Sequence, residues 1–239
     1  MVNMLIVCVC MALCMPLVNA FNLNLLTKIW QCRLVLLPNA QKVTVVTIGP
    51  DEHKKLNTPA GEEKPPPYLS NPKMWRRYHP TIIEKLHDMG AEAIGFDFWF
   101  SPALDEPAKQ ATLKFANALQ AHRAKDFPIV LGQAQNEQDP QVYAAADWGY
   151  ISLYQDLSWT NSLMYLYAWD KMDLSGVAIE KPSLFVQVLA QKLGMTPAMD
   201  SRGVRLIGKP IPRRLWLAFS ETPFAKVSYH EIYNGWADV

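Results

Sequence analysis

The run Tyr78–Pro107, YHPTIIEKLHDMGAEAIGFDFWFSPALDEP, constrains the fold of this chain more than any other stretch. Within Thr81–Met89, the residues Ile82, Ile83, Leu86 and Met89 fall on one face of a helix, and Glu84, Lys85, His87 and Asp88 fall on the other. Gly90 then ends the helix, because glycine takes the positive φ of a helix terminus without a Cβ clash. Ala91–Phe98 follows as a short apolar run, the pattern of a strand covered by helices on both faces. Asp97 is the only acid in Ala93–Phe100 and stands at the end of that strand. Open α/β sheets bind ligands outside the carboxyl ends of their strands, so its position alone makes Asp97 a candidate site residue.

The same alternation extends in both directions. Gln41–Ile48, rich in β-branched residues, reads as an opening strand ended by Gly49-Pro50-Asp51. A polar, proline-rich loop spans Glu52–Lys73, and a helix covers Pro80–Met89. After the strand at Ala91–Phe98, a helix from Glu106 to Arg123 and a strand from Pro128 to Gly132 complete a β-α-β-α-β series. That series predicts a parallel sheet with right-handed crossovers. Beyond Gly132 it breaks. Gln133–Pro140 reads as loop, and Asp147–Leu153 and Leu163–Asp170 read as aromatic-bearing strands, in a hairpin or layered on an edge of the main sheet. A helix from Ser183 to Leu193 presents Leu184, Val188, Leu189 and Leu193 on one face. Strands at Val204–Ile207 and Arg213–Phe219 precede a closing helix, Tyr229–Tyr233. The fold class expected is α/β: a mostly parallel central sheet flanked by helices, an added antiparallel, aromatic-rich β portion, and an N-terminal hydrophobic helix.

The central run resembles the middle of the CHASE2 domain. In that family an arginine, aliphatic pairs, Leu and Gly lead into aliphatic-Gly-Phe-Asp-x-x-Phe, then a proline-containing loop and an acid. Arg77, Ile82, Ile83, Leu86, Gly90, Ile94-Gly95-Phe96-Asp97 and Phe100 occupy those places here, with Asp105 or Glu106 as the later acid. Val43–Ile48, Lys114–Ala121, Ile129–Leu131, Lys181–Phe185 and Val227–Trp236 continue the likeness in order, so it covers roughly 41–239. The resemblance implies an extracytoplasmic sensor module of a bacterial membrane receptor. Its output would be a nucleotide cyclase, kinase or diguanylate cyclase lying outside this chain. The family's closing helix leads into a further strand that does not follow before Val239, so the sequence reads as truncated or short.

Composition narrows the partners. Lys and Arg number 23 against 22 Asp and Glu, a net charge of +1, and no basic patch draws the chain to nucleic acid. Met1–Phe21 contains no Asp, Glu, Lys, Arg or His. Two readings fit it: a membrane anchor running into a helix at Phe21–Leu37, or a signal peptide cut near Val18-Asn19-Ala20. A bilayer span needs about 20 apolar residues, and the segment lacks the basic start of a signal peptide. The anchor is preferred, giving residues 1–37 as anchor and connecting helix and 41–239 as the sensor domain, on the periplasmic side of the inner membrane. Cys8, Cys10 and Cys14 lie inside this apolar segment, and Cys32 stands alone beside the domain, so no disulfide framework is expected.

Candidate chemistry rests on four residues. Asp51, Asp97 and Asp105 fall at or near strand ends, and if their strands are adjacent they converge on one crevice. Against this, the plain reading has Asp97 capping or bracing the neighbouring loop, with Asp51 and Asp105 solvated. Arg77, in the arginine pair Arg76-Arg77 before the first helix, is placed to bind an anionic group or to pair with Asp97. There is no Gly-x-Ser-x-Gly elbow and no phosphate loop, and His230-Glu231 lacks the second histidine of a zinc-protease helix. No metal, cofactor or catalytic residue is expected. The function expected is a non-enzymatic sensor. Its partners would be an unidentified small-molecule or periplasmic ligand, the membrane, and a second copy of the chain as a candidate. Two alternatives stand beside it: a periplasmic metal-dependent hydrolase using the three aspartates, and a stand-alone membrane-anchored binding domain.

Overall fold

A computed structural model of the chain describes residues 43–236, apart from 69, 135–136, 152–153, 157–162, 168, 175–176, 201–202, 207–208, 212–213 and 217–224. The expected N-terminal helix and anchor, 1–37, and its cysteines lie outside these residues, as do the ends of the expected strand Arg213–Phe219. Among the described residues, no helix is long and apolar enough to cross a membrane.

The chain divides into two compact units. The larger takes Val45–Leu153, Leu166–Leu215 and Lys226–Val239, and the smaller takes Met1–Thr44, Tyr154–Tyr165 and Trp216–Ala225. In the larger unit, β1 (Thr44–Thr47) leads into a one-turn helix, α1 (Glu52–Lys55), and a 3-10 turn at Pro72–Arg77. Helix α2 (His79–Asp88) buries Ile82, Ile83 and Leu86, the stripe that its periodicity predicts. It ends at Gly90, whose φ of +88° is the left-handed value that stops a helix.

Strand β2 (Ile94–Phe96) pairs in parallel with β3 (Ile129–Gln133), Ile94 opposite Ile129 and Phe96 opposite Leu131. β3 pairs in parallel with β4 (Asp147–Tyr150), Leu131 opposite Trp148. Every residue of β3 is buried, as the centre of a parallel sheet requires. The crossover from β2 to β3 is α3 (Glu106–Arg123), which buries Ala108, Ala111, Phe115 and Leu119 along one face. The crossover from β3 to β4 is shorter, α4 (Pro140–Ala145), which starts at the last residue of the loop expected over Gln133–Pro140.

Helix α5 (Leu184–Lys192) covers the sheet near Gly149. A Cβ on Gly149 would lie 2.6 Å from the Leu184 nitrogen and 2.7 Å from the Ser183 carbonyl carbon, so the helix entry can approach this strand only because the residue is glycine. The face α5 buries is Val186 and Ala190, while Leu193, expected on the core stripe, is 41% exposed. Leu184 and Val188, also on the expected stripe, are partly buried and face Gly95 of β2.

The fold class is mixed α/β, with a parallel sheet of three short strands. Two differences from expectation follow from pairing. β1 is hydrogen-bonded to β13 (Ala225–Ser228) and not to the β2-β3-β4 sheet. The strand at Asp147 joins the parallel sheet and makes no hairpin with the strand at Leu163. Antiparallel pairs follow in β7 (Trp169–Leu174) with β8 (Val177–Pro182), and in β9 (Ala198–Asp200), β10 (Gly203–Leu206) and β11 (Lys209–Ile211), after which the chain forms β12 (Arg214–Trp216). In the smaller unit, β5 (Tyr154–Asp156) pairs antiparallel with the start of β6 (Leu163–Tyr167), Tyr154 opposite Tyr165. The closing helix α6 (Tyr229–Asn234) begins with a capping box between Ser228 and Glu231.

Candidate functional site

At the carboxyl ends of β2 and β3 the chain builds a braced edge. The loop from Asp97 to Asp105 leaves β2 and carries two exposed apolar side chains, Trp99 and Leu104, into a shallow cleft of about 290 Å³ with Lys73 and Glu137. Lys73 Nζ donates to the Pro102 carbonyl at 2.6 Å, tying the loop to the 3-10 turn. Asp97 is solvent-exposed, yet partial desolvation holds its carboxyl above the usual carboxylate range.

Beneath that edge, Arg76 is buried and its guanidinium is fully engaged. Nη1 donates to Asp139 Oδ2 at 2.8 Å and to Thr112 Oγ1 at 2.7 Å, and Nη2 donates to the Ser101 carbonyl. The guanidinium carbon lies 5.5 Å from the Phe100 ring centroid. Burial pulls the arginine below its ordinary pKa, and Asp139 opposes that pull. Asp139 in turn caps α4, its Oδ1 accepting from Gln141 N at 3.1 Å and Val142 N at 3.4 Å. Tyr143, on the same helix, donates its hydroxyl to the Gly132 carbonyl at 2.5 Å and accepts from Phe100 N at 3.2 Å. Burial raises that phenol to about 12. One ion pair and one phenol thus lock the loop after β2, the end of β3 and the start of α4 together.

Two further polar groups sit in the core of the larger unit. His79 is 2% exposed, ringed by Phe96, Phe98, Phe100, Phe115 and Tyr229, with Nδ1 3.0 Å from the Tyr229 hydroxyl. Desolvation lowers its pKa to about 3, so it is a neutral imidazole at physiological pH. Glu52 Oε2 accepts from the His230 backbone N–H at 2.9 Å and lies 2.6 Å from its Nδ1, joining α1 to α6 inside the protein.

The larger cavity lies at the opposite end of the sheet. A cleft of about 750 Å³ opens at the amino ends of β2, β3 and β4, between the C-terminal turns of α3 and α5. Its apolar lining includes Phe127, Ile129 and Met195. Its charged wall holds Glu92 paired with Lys192, and Arg123 3.9 Å from Asp147.

The four expected site residues occupy separate structural settings. Asp51 is exposed and ion-paired with Lys54 at 2.7 Å, which holds its carboxyl below the ordinary value. Asp105 caps α3, accepting from Ala108 N at 2.8 Å. Arg77 places its guanidinium 6.0 Å from the Tyr78 ring centroid, and it is Arg76, with Asp139, that forms the buried pair. Asp97 has no hydrogen-bond or ion-pair partner among the described residues. The condition for convergence, adjacency of the strands bearing Asp51 and Asp97, is not met in the hydrogen-bonded ladders. Among the described residues, no three of His, Cys, Asp and Glu gather where they could hold a metal ion. Asp139, Tyr143 and the Glu52–His230 pair escape the sequence reading, which names the pair Arg76-Arg77 but takes Arg77 as the candidate. One signal was available for Asp139: Asp-Pro before Gln141-Val142 is an N-cap with proline at the first helical position.

The chain belongs to the CHASE2 domain family, whose model matches residues 4–239. CHASE2 is a family of extracytoplasmic sensor domains, not of catalysts. No curated protein and no solved structure matches the chain.

Proposed function

We propose that this chain is the extracytoplasmic input domain of a bacterial membrane receptor and passes a ligand-dependent change to a cytoplasmic output outside these residues. The family match across residues 4–239 carries the reading. The core supports it in physical terms. Arg76 ties the loop after β2 to α3 and α4, and Glu52–His230 ties the element after β1 to the closing helix. A ligand that favours one arrangement of these elements over another would shift their populations, which is all that signalling requires of a sensor.

The hydrolase reading needs carboxylates gathered on one ion. Asp51 is held by Lys54 and Asp105 by the α3 N-terminus, so the geometry favours the sensor. Fusion of reporters after Val239 tests the placement. Alkaline phosphatase fused there is expected to be active and green fluorescent protein dark; the reverse pattern, with an intact fusion, overturns the proposal.

A further inference from the structure

The cleft at the amino ends of the strands is the larger of the two clefts described above, and its chemistry is one-sided. Five charged side chains line it: Glu92, Arg123, Asp126, Asp147 and Lys192. Both cations are committed, Lys192 to Glu92 and Arg123 to Asp147. Two cations face three carboxylates, and the carboxylate left over is Asp126, which has no side-chain partner among the described residues. Asp126 stands on a turn with φ of +56°, a left-handed conformation that costs free energy for a residue with a Cβ. The turn places it on the rim beside Phe127.

Gln191 adds a second acceptor. Its Nε2 donates to Asp147, which fixes the direction of the amide, and its buried Oε1 has no hydrogen-bond partner. A buried amide oxygen without a donor is costly, and such groups in native proteins call for an explanation. Carboxylate and amide oxygen are thus the two unmatched groups of the cleft, and both accept hydrogen bonds. The remaining lining near them is apolar: Phe127, Ile129 and Met195. A volume of about 750 Å³ is within the range of small-molecule sites.

We infer that this cleft binds a small organic cation, a primary ammonium on an apolar body, with the ammonium donating to Asp126 and Gln191 Oε1 and the body lying on Phe127, Ile129 and Met195. The inference rests on the sensor reading and supplies the chemical class of its stimulus. A matched anion would have to displace Glu92 or Asp147 from a cation and leave Asp126 facing like charge. The cleft therefore discriminates by sign as well as by size.

Titration calorimetry on the purified full chain tests this, with phenethylammonium and 3-phenylpropanoate as probes of similar shape and opposite charge. Saturable one-to-one binding of the amine is expected, weakening as sodium chloride is added, with no heat from the carboxylate. Asp126→Asn and Gln191→Leu should each weaken the amine by tenfold or more, and Lys109→Ala, exposed on α3 away from the cleft, should leave it unchanged. If one variant fails to fold, shown by its circular dichroism melt, the other carries the test. Binding of the carboxylate instead, binding of neither probe, or amine binding indifferent to both substitutions overturns the assignment. The reporter fusions read membrane placement independently, so a failed titration removes the cleft's ligand and leaves the sensor placement to its own result.

Discussion

Arg76 Nη1 lies 2.8 Å from Asp139 Oδ2, an ion pair between side chains only 3% and 5% exposed and 63 residues apart in sequence. Taking two charges out of water is unfavourable, and the pair holds because every strong group on it finds a further partner: Thr112, Ser101 and the α4 backbone. Removing one member leaves the other buried and uncompensated. Asp139→Ala is therefore expected to cost about 3–5 kcal/mol, measured by urea unfolding at pH 7. The double variant Arg76→Met, Asp139→Ala should lose less than the two single losses added. Strict additivity would show that the two residues act independently.

His79 gives the domain an acid-sensitive core. In the unfolded chain an imidazole protonates near 6.5; in the folded chain desolvation delays this to about 3. Between those values the unfolded state binds the extra proton, so stability falls as pH falls through that window. The loss approaches about 1.4 kcal/mol for each pH unit below 6.5, or about 3 kcal/mol by pH 4. His79→Phe should flatten the curve of unfolding free energy against pH by close to one proton. An unchanged slope in that variant would assign the acid sensitivity elsewhere.

Gly149 should tolerate no side chain. The atoms that a Cβ would meet at 2.6–2.8 Å are backbone atoms of Ser183 and Leu184 and cannot rotate away. Gly149→Ala is expected to displace the start of α5 and cost about 3 kcal/mol or more. Gly49→Ala, whose nearest neighbour would be a flexible Glu52 atom at 3.9 Å, serves as the comparison and should cost far less. Melting temperatures of the two variants side by side decide it; equal losses would mean that helix and strand are not in contact at Gly149.

Asp105→Ala should behave as the loss of a helix cap and nothing more, about 1 kcal/mol of stability. Asp105→Ser should restore most of it, since a serine oxygen also accepts from the Ala108 N–H. Failure of serine to rescue would indicate a demand for negative charge and return Asp105 to the list of ligand contacts.

The sequence reading and the structure part company where long-range contact decides. Glu106–Arg123 reads correctly because Asp105 caps it, Pro107 fits its first turn and Phe115 and Leu119 repeat on one face. Asp105, read in sequence as a candidate ligand or a solvated acid, is the cap of that helix. Which of Arg76 and Arg77 turns inward was not. In a 3-10 turn no apolar repeat marks the core side, and the partner that decides it, Asp139, is remote in sequence. The pairing of β1 with β13 is equally invisible locally, because a four-residue strand carries its period but not the identity of its neighbour. The cleft at the amino ends runs against the usual rule for parallel sheets, and the charges on its wall come from the loop before β2, from α3 and the turn after it, from the first residue of β4 and from α5, which together form no motif.

The contact between Glu52 and His230 spans 178 residues of chain. At a synthesis rate of about 5–20 residues per second, Glu52 leaves the ribosome on the order of 10–40 s before its partner exists. Throughout that interval the opening segment has neither α6 nor β13 to lean on, and the exposed edge of β1 is a template for wrong pairing. The order of synthesis thus sets a waiting period in which the first strand of this chain has no native neighbour to pair with.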